Sequence, residues 1–205
     1  MTTLPLATAL VAGLVHALEA DHMAAVTTFV SRRPHPLRAL GFGVRWGVGH
    51  SAALLLAGGV VVTLQLRIPE EVVRGLEAGV GAMLVLLGVF TIATLRHHGT
   101  ETPSHPHRHD LAGSTWVGAA HGVAGTAGFL AIIPAVMMAS PWSAGGYLIL
   151  FGVGTVVAMG AYALVAGILF NRAESLSPSL PRLLRLAAGL ASATIGTMWI
   201  LGAIG

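Results

Sequence analysis

The stretch Gly13-Leu-Val-His16-Ala-Leu-Glu19-Ala-Asp21-His22-Met23 sets two imidazoles and two carboxylates within seven residues of an otherwise apolar run. An ionisable side chain at the centre of a membrane costs about 2.5 kcal/mol or more, so such groups are kept mainly where they are used. Imidazole nitrogen and carboxylate oxygen together also form a donor set suited to a divalent transition metal. The surrounding chain decides whether the run is a membrane segment.

The 205 residues are 55% hydrophobic and 9% charged, and the mean hydropathy is +0.80. Soluble domains carry about 25% charged residues, so an all-α integral membrane protein is expected, as a single membrane domain over residues 1–205. The net charge of +3 comes from arginine alone, with no lysine. No basic stripe with interleaved aromatics is present, which argues against nucleic acid as a partner. Cysteine is absent, excluding disulfides, thiolate metal sites and thiol relays. Glycine is abundant at 27 residues, as in membrane helices that pack through small side chains. The first apolar run lacks the basic start and cleavage site of a secretory signal and reads as a retained helix.

Six apolar segments reach the roughly 20 residues needed to span hydrocarbon. They run approximately over 4–31, 38–64, 72–95, 113–139, 143–170 and 183–204. Polar breaks separate them at Ser31–Pro36, Gln65–Glu71, Arg96–Asp110, Ser140-Pro141 and Asn171–Pro181. Nine arginines (32, 33, 38, 45, 96, 108, 172, 182 and 185) lie on one side and only Arg67 and Arg74 on the other. The positive-inside rule puts the arginine-rich side in the cytoplasm and both termini outside; the expected location is the plasma membrane of a prokaryote.

The two halves resemble each other. Gly-Leu-Val-His16 matches Gly-Ala-Ala-His121, and Gly47-Val-Gly-His50 matches Gly152-Val-Gly-Thr155, at a common offset of 105. Three spans per half make the second copy inverted, giving two inverted three-helix repeats over 1–96 and 113–205 with a His-rich cytoplasmic loop at 97–112. Inverted repeats with a site near the midplane are a design of secondary transporters. The copies have diverged: Asp21 and His22 correspond to Thr126 and Ala127, and His50 to Thr155.

At about 1.5 Å per residue, His16, Asp21 and His22 straddle the middle of the first span, and His50 reaches the same depth in the second. On a regular helix His16, Glu19 and His22 share a face and Asp21 points elsewhere. A locally unwound helix brings Asp21 in with His16 and His22 instead. Irregular backbone at depth is tolerated where it lines a cavity or is buried in protein, and spacing alone does not choose. The ridges Ala9-Ala12-Gly13-His16 and Gly43-Gly47-His50 turn both histidines toward the bundle. A hydrogen-bonded lock between helices would not call for four ionisable groups in seven residues. His121 reads equally as a ligand or as a satisfied core histidine. Arg45 reads as an anchor snorkelling to the cytoplasmic surface, and Arg74 with Glu77 as a surface i, i+3 pair. Half of the histidines fall between Arg96 and Asp110. A short His-rich tract of this kind can buffer metal in the cytoplasm, or it is a solvated loop.

The string His16-Ala-Leu-Glu-Ala-Asp21-His22 resembles the signature of the nickel/cobalt transporter (NiCoT) family and its shorter UreH-like branch. Gly49-His50-Ser51 resembles that family's second element. The likeness covers roughly residues 10–55. It implies a permease, not an enzyme, with Ni²⁺ or Co²⁺ as transported substrate, no permanently bound cofactor, and His16, Asp21, His22 and His50 in the metal path. It favours Asp21 where the helical wheel favours Glu19. Larger members have eight helices against six here, and Glu19 stands where a different acidic arrangement is expected. A broader likeness to three-plus-three exporters of the LysE and TauE type keeps export, or proton-coupled carriage of a non-metal substrate, open. A membrane metalloenzyme is a further alternative.

The full candidate set is therefore His16, Glu19, Asp21, His22, His50 and His121, with a divalent metal ion and the lipid bilayer as partners. The sequence assigns neither a metallochaperone nor a homo-oligomeric state. Histidine must be neutral to ligate, so affinity should fall as imidazole protonates at about pH 6.5. A membrane potential favours inward movement of a dication by roughly 4–5 kcal/mol per 100 mV. Uptake then needs no nucleotide, and no phosphate-binding loop motif is present.

Overall fold

The computed structural model describes residues 3–32, 35–64, 69–95, 109–124, 133–138, 140–177 and 179–204. These residues are helical apart from turns and short connections. The helices are α1 (Thr3–His16), α2 (Ala20–Val30), α3 (Pro36–Leu64), α4 (Glu70–Leu95), α5 (His109–Ala124), α6 (Pro141–Leu176) and α7 (Leu180–Ile204). A single helical turn covers 133–136. Helices α3, α4, α6 and α7 are long and apolar enough to cross a membrane, and the bent pair α1–α2 makes a fifth crossing if it counts as one. The chain is a multi-pass helical membrane protein.

Two expected boundaries change, and a third falls partly outside the described residues. The first span, expected to be continuous over 4–31, is two helices meeting at 57°. The turn between them is closed by i→i+3 bonds, Leu18 N–H to the Val15 carbonyl at 3.0 Å and Glu19 N–H to the His16 carbonyl at 3.1 Å. Glu19 is then extended, at φ −65° and ψ 152°. The fourth span, expected over 113–139, is described as α5 and the turn at 133–136, and residues 125–132 lie outside the described residues. Four or five described crossings thus stand against six expected. The sixth helix overruns the expected connection: α6 runs through Asn171–Leu176. That segment is polar but rich in helix formers, so its polarity ends the apolar span without ending the helix. Most of the His-rich loop, 96–108, lies outside the described residues, and His109 and Asp110 stand in the first turn of α5.

Large apolar side chains point outward, among them Val15, Leu56, Leu86 and Leu169, while the histidines are buried. This is the distribution that lipid as solvent favours. Glycine sets the helix spacing. Gly81 and Gly196 each face the other's carbonyl, as do Gly88 and Gly189, so α4 and α7 touch backbone to backbone. Gly43 faces Met159, and a Cβ added at Gly47 would lie only 2.9 Å from Val156 Cα, which sets α3 antiparallel along α6.

These close approaches come in matched pairs. Gly13 faces the Phe151 carbonyl and Gly118 the Trp46 carbonyl. Gly154 faces the Leu10 carbonyl and Gly49 the Thr115 carbonyl. Gly47 faces Val156, and Gly152 faces Ser51 Cβ. In each pair, moving one residue forward by 105 and the other back by 105 turns the first contact into the second.

Candidate functional site

Four helix segments deliver the histidines to one place. His16 is the last residue of α1, His22 stands in the first turn of α2, His50 is inside α3, and His121 is in the last turn of α5. The break after His16 decides the geometry. Because Glu19 is extended, α2 starts in a new direction and Asp21 turns inward. Asp21 is 2% exposed and the four histidines are 4% or less.

Asp21 holds two rings at once. His22 Nδ1 is 3.0 Å from Asp21 Oδ1, and His121 Nε2 is 3.0 Å from Asp21 Oδ2. An ionised carboxylate only accepts hydrogen bonds, so both imidazoles donate to it. That fixes their tautomers and leaves His22 Nε2 and His121 Nδ1 as lone-pair nitrogens. Both are buried without a hydrogen-bond partner among the described residues. A carboxylate that orients a histidine whose other nitrogen is free is the usual support for a metal ligand.

His16 Nε2 and His50 Nε2 face each other at 3.1 Å. At this distance two lone pairs repel unless a proton or a cation lies between them. His22 packs edge-on against both, with ring centroids at 4.6 Å from His16 and 4.9 Å from His50. Two groups of three donors follow, His16/His22/His50 and Asp21/His22/His121, each with its donor atoms within 4.8 Å of one another. His22 belongs to both.

Of the six sequence candidates, five meet in this cluster. Glu19 stands at its edge: its Oε2 is 3.2 Å from His16 Nδ1, it belongs to neither group, and its side chain is 37% exposed. The extended backbone that turns Asp21 in also carries Glu19 out. His121, the one candidate from the second half, bonds directly to Asp21. Arg45 is exposed and bonds to the Gly41 carbonyl of its own helix at 3.3 Å.

Sequence reasoning passed over Thr155 and two aromatic rings. Thr155, wholly buried, bonds to the Gly13 carbonyl at 3.3 Å and to the Phe151 carbonyl at 3.0 Å, tying α6 to α1 just before His16. Phe151 packs on His16 and Trp46 on His121. The only sequence signal for Thr155 was its match to His50, and for the rings there was none, because an aromatic in an apolar helix reads as ordinary core.

The chain is 31% identical over 172 residues to urease accessory protein UreH of Bacillus sp. (strain TB-90), covering 78% of this chain and 75% of that protein. It belongs to the UreH family. Two proteins of Arabidopsis thaliana, chloroplast proteins FOR GROWTH AND FERTILITY 2 and 1, are 29% and 27% identical over 84% and 86% of this chain. The chain spans about half the length of each, 48% and 52%. No family model and no solved structure matches.

Proposed function

We propose that this protein is a secondary permease for a divalent transition metal ion, Ni²⁺ or Co²⁺, taken as substrate at the buried histidine cluster. The observation that carries the reading is the pairing of Asp21 with His22 and His121, which leaves their second nitrogens buried and unpartnered. Two nitrogens each about 2.1 Å from one ion, at a right angle, are about 3.0 Å apart. The His16–His50 separation of 3.1 Å suits that arrangement. Asp21 offsets part of the ion's charge, and the free lone pairs of neutral imidazoles supply the bonds. The likeness of the His16–His22 string to nickel/cobalt transporters, together with membership of the UreH family, supports the choice of these metals.

The proposed frame is two inverted three-helix repeats, with the arginine-rich side in the cytoplasm and both termini outside. The contacts that exchange on a shift of 105 support it, since a two-fold relation between halves produces such exchange. Rocking of one repeat against the other then alternates access. No nucleotide is required, because the membrane potential drives a dication inward.

The test is metal accumulation, at matched protein levels, in cells expressing the natural chain, His16→Ala or Asp21→Asn. Both variants should lose accumulation by about tenfold or more, the range for losing a ligand or its orienting partner. Equal Ni²⁺ and Co²⁺ accumulation in all three overturns the reading. Lost metal tolerance without lost uptake reverses its direction to export.

A further inference from the structure

The two histidines that match across the halves are each covered by a ring from the opposite half. Phe151 of α6 lies on His16 with centroids 5.2 Å apart. Trp46 of α3 lies on His121 at 5.8 Å. The shift of 105 with exchange of partners converts one contact into the other. Glycine makes room for both, at Gly13 beside the Phe151 backbone and at Gly118 beside Trp46.

The rings belong to separate apolar clusters. Trp46, wholly buried, packs with Phe42 and Phe29 at centroid distances of 5.6 Å and 6.1 Å. Phe151 belongs with Tyr147, Leu148 and Leu54. The clusters lie on opposite sides of the histidines. Helices α3 and α6 are antiparallel, with residue 47 beside 156 and 51 beside 152. In that register Phe151 stands level with residue 52 of α3, about 9 Å along the axis from Trp46, and His50 falls between them. Phe42 and Phe29 extend the Trp46 cluster toward the Arg32 and Pro36 end. Tyr147 extends the Phe151 cluster toward the Pro141 end.

A hydrated ion does not cross a packed apolar constriction, and such constrictions gate by excluding water. Both clusters are closed here, and the five clustered donors are at most 4% exposed. We infer that Trp46 and Phe151 are the two gates of the site: Trp46, with Phe42 and Phe29, shuts it toward the arginine-rich end, and Phe151, with Tyr147, shuts it toward the opposite end. The Trp46 gate carries a device for release. Its indole Nε1 has no hydrogen-bond partner among the described residues. A buried unpaired N–H raises the free energy of the closed state, so moving the ring to water recovers a hydrogen bond. The permease reading supplies what passes the gates, but their existence is read without any metal.

The chain has no cysteine, so His50→Cys places a single thiol between the gates. It is reacted with a membrane-impermeant methanethiosulfonate in right-side-out and in inside-out vesicles. Alone it should react slowly from both faces. Adding Phe151→Ala should speed the reaction by about tenfold or more from one face, and adding Trp46→Ala from the other face only. Acceleration from the same face by both, acceleration by neither, or rapid reaction without either change overturns the assignment. If Trp46→Ala is lost from the membrane, Phe42→Ala carries that arm with the same expected face. Ni²⁺ and Co²⁺ accumulation by the natural chain, which keeps His50, is a separate readout. Its absence, with the face pattern intact, tells against the metal and leaves the gates standing.

Discussion

His50 and Thr155 occupy matching positions in the two halves, and both are buried, yet they face different work. His50 turns its Nε2 to His16. Thr155 turns its hydroxyl to the carbonyls of Gly13 and Phe151. The backbone frame around them is shared: the glycine contacts repeat with the offset of 105, while the polar side chains within it do not. A doubled frame can hold an undoubled site, because close packing needs only small residues at the crossings, whereas a donor cluster needs its charges and lone pairs in one place.

The comparison breaks most sharply at His50. Replacing it by the residue of the other half, His50→Thr, removes a nitrogen from the His16/His22/His50 group. Metal affinity of the purified protein, read by titration calorimetry, should fall by on the order of 100-fold, a ligand lost. An unchanged affinity would place the ion wholly in the Asp21/His22/His121 group. The frame is tested by Gly13→Ala and Gly118→Ala. Each added methyl meets backbone of the facing helix, and each should cost about 1–3 kcal/mol, the range for overpacking. Thermal unfolding in detergent should show similar losses for the two. A large loss for one and none for the other would deny that the contacts are equivalent. The smallest effect belongs to Glu19→Gln. Glu19 is over a third exposed and outside both donor groups, so uptake should change by less than about threefold, within the weight of a solvent-screened pair. A loss as deep as that of Asp21→Asn would return Glu19 to the site.

Hydropathy made the long helices legible, because lipid demands runs of apolar residues whatever the packing. It could not show the break after His16. Ala17, Leu18 and Glu19 suit a continuous helix, and what opposes it is the burial of Asp21 between two imidazoles, one of which, His121, lies 100 residues away in the chain. Spacing therefore left both Glu19 and Asp21 open, and the backbone places Asp21 inside the cluster and Glu19 at its edge. The end of α6 was misjudged for a related reason: Asn171-Arg-Ala-Glu-Ser-Leu176 carries a signal about solvent, not about helix. His121 was legible as a match to His16, but its partner was not. The rings of Trp46 and Phe151 carried no signal, since their pairing depends on which helices cross.

Arg185 of α7 has a mechanical consequence. Its Nε donates to the Ser31 carbonyl at 2.6 Å and its Nη2 to the Arg32 carbonyl at 3.4 Å, at the far end of α2. Helix α2, with 11 residues, is a rod about 16 Å long pivoted at Glu19. A tilt of about 10° would carry its tip about 3 Å, beyond the reach of a hydrogen bond. The rod is pinned at both ends, and its lever motion is geared to α7: the angle at which Asp21 and His22 are presented cannot change until Arg185 lets go or α7 travels with it.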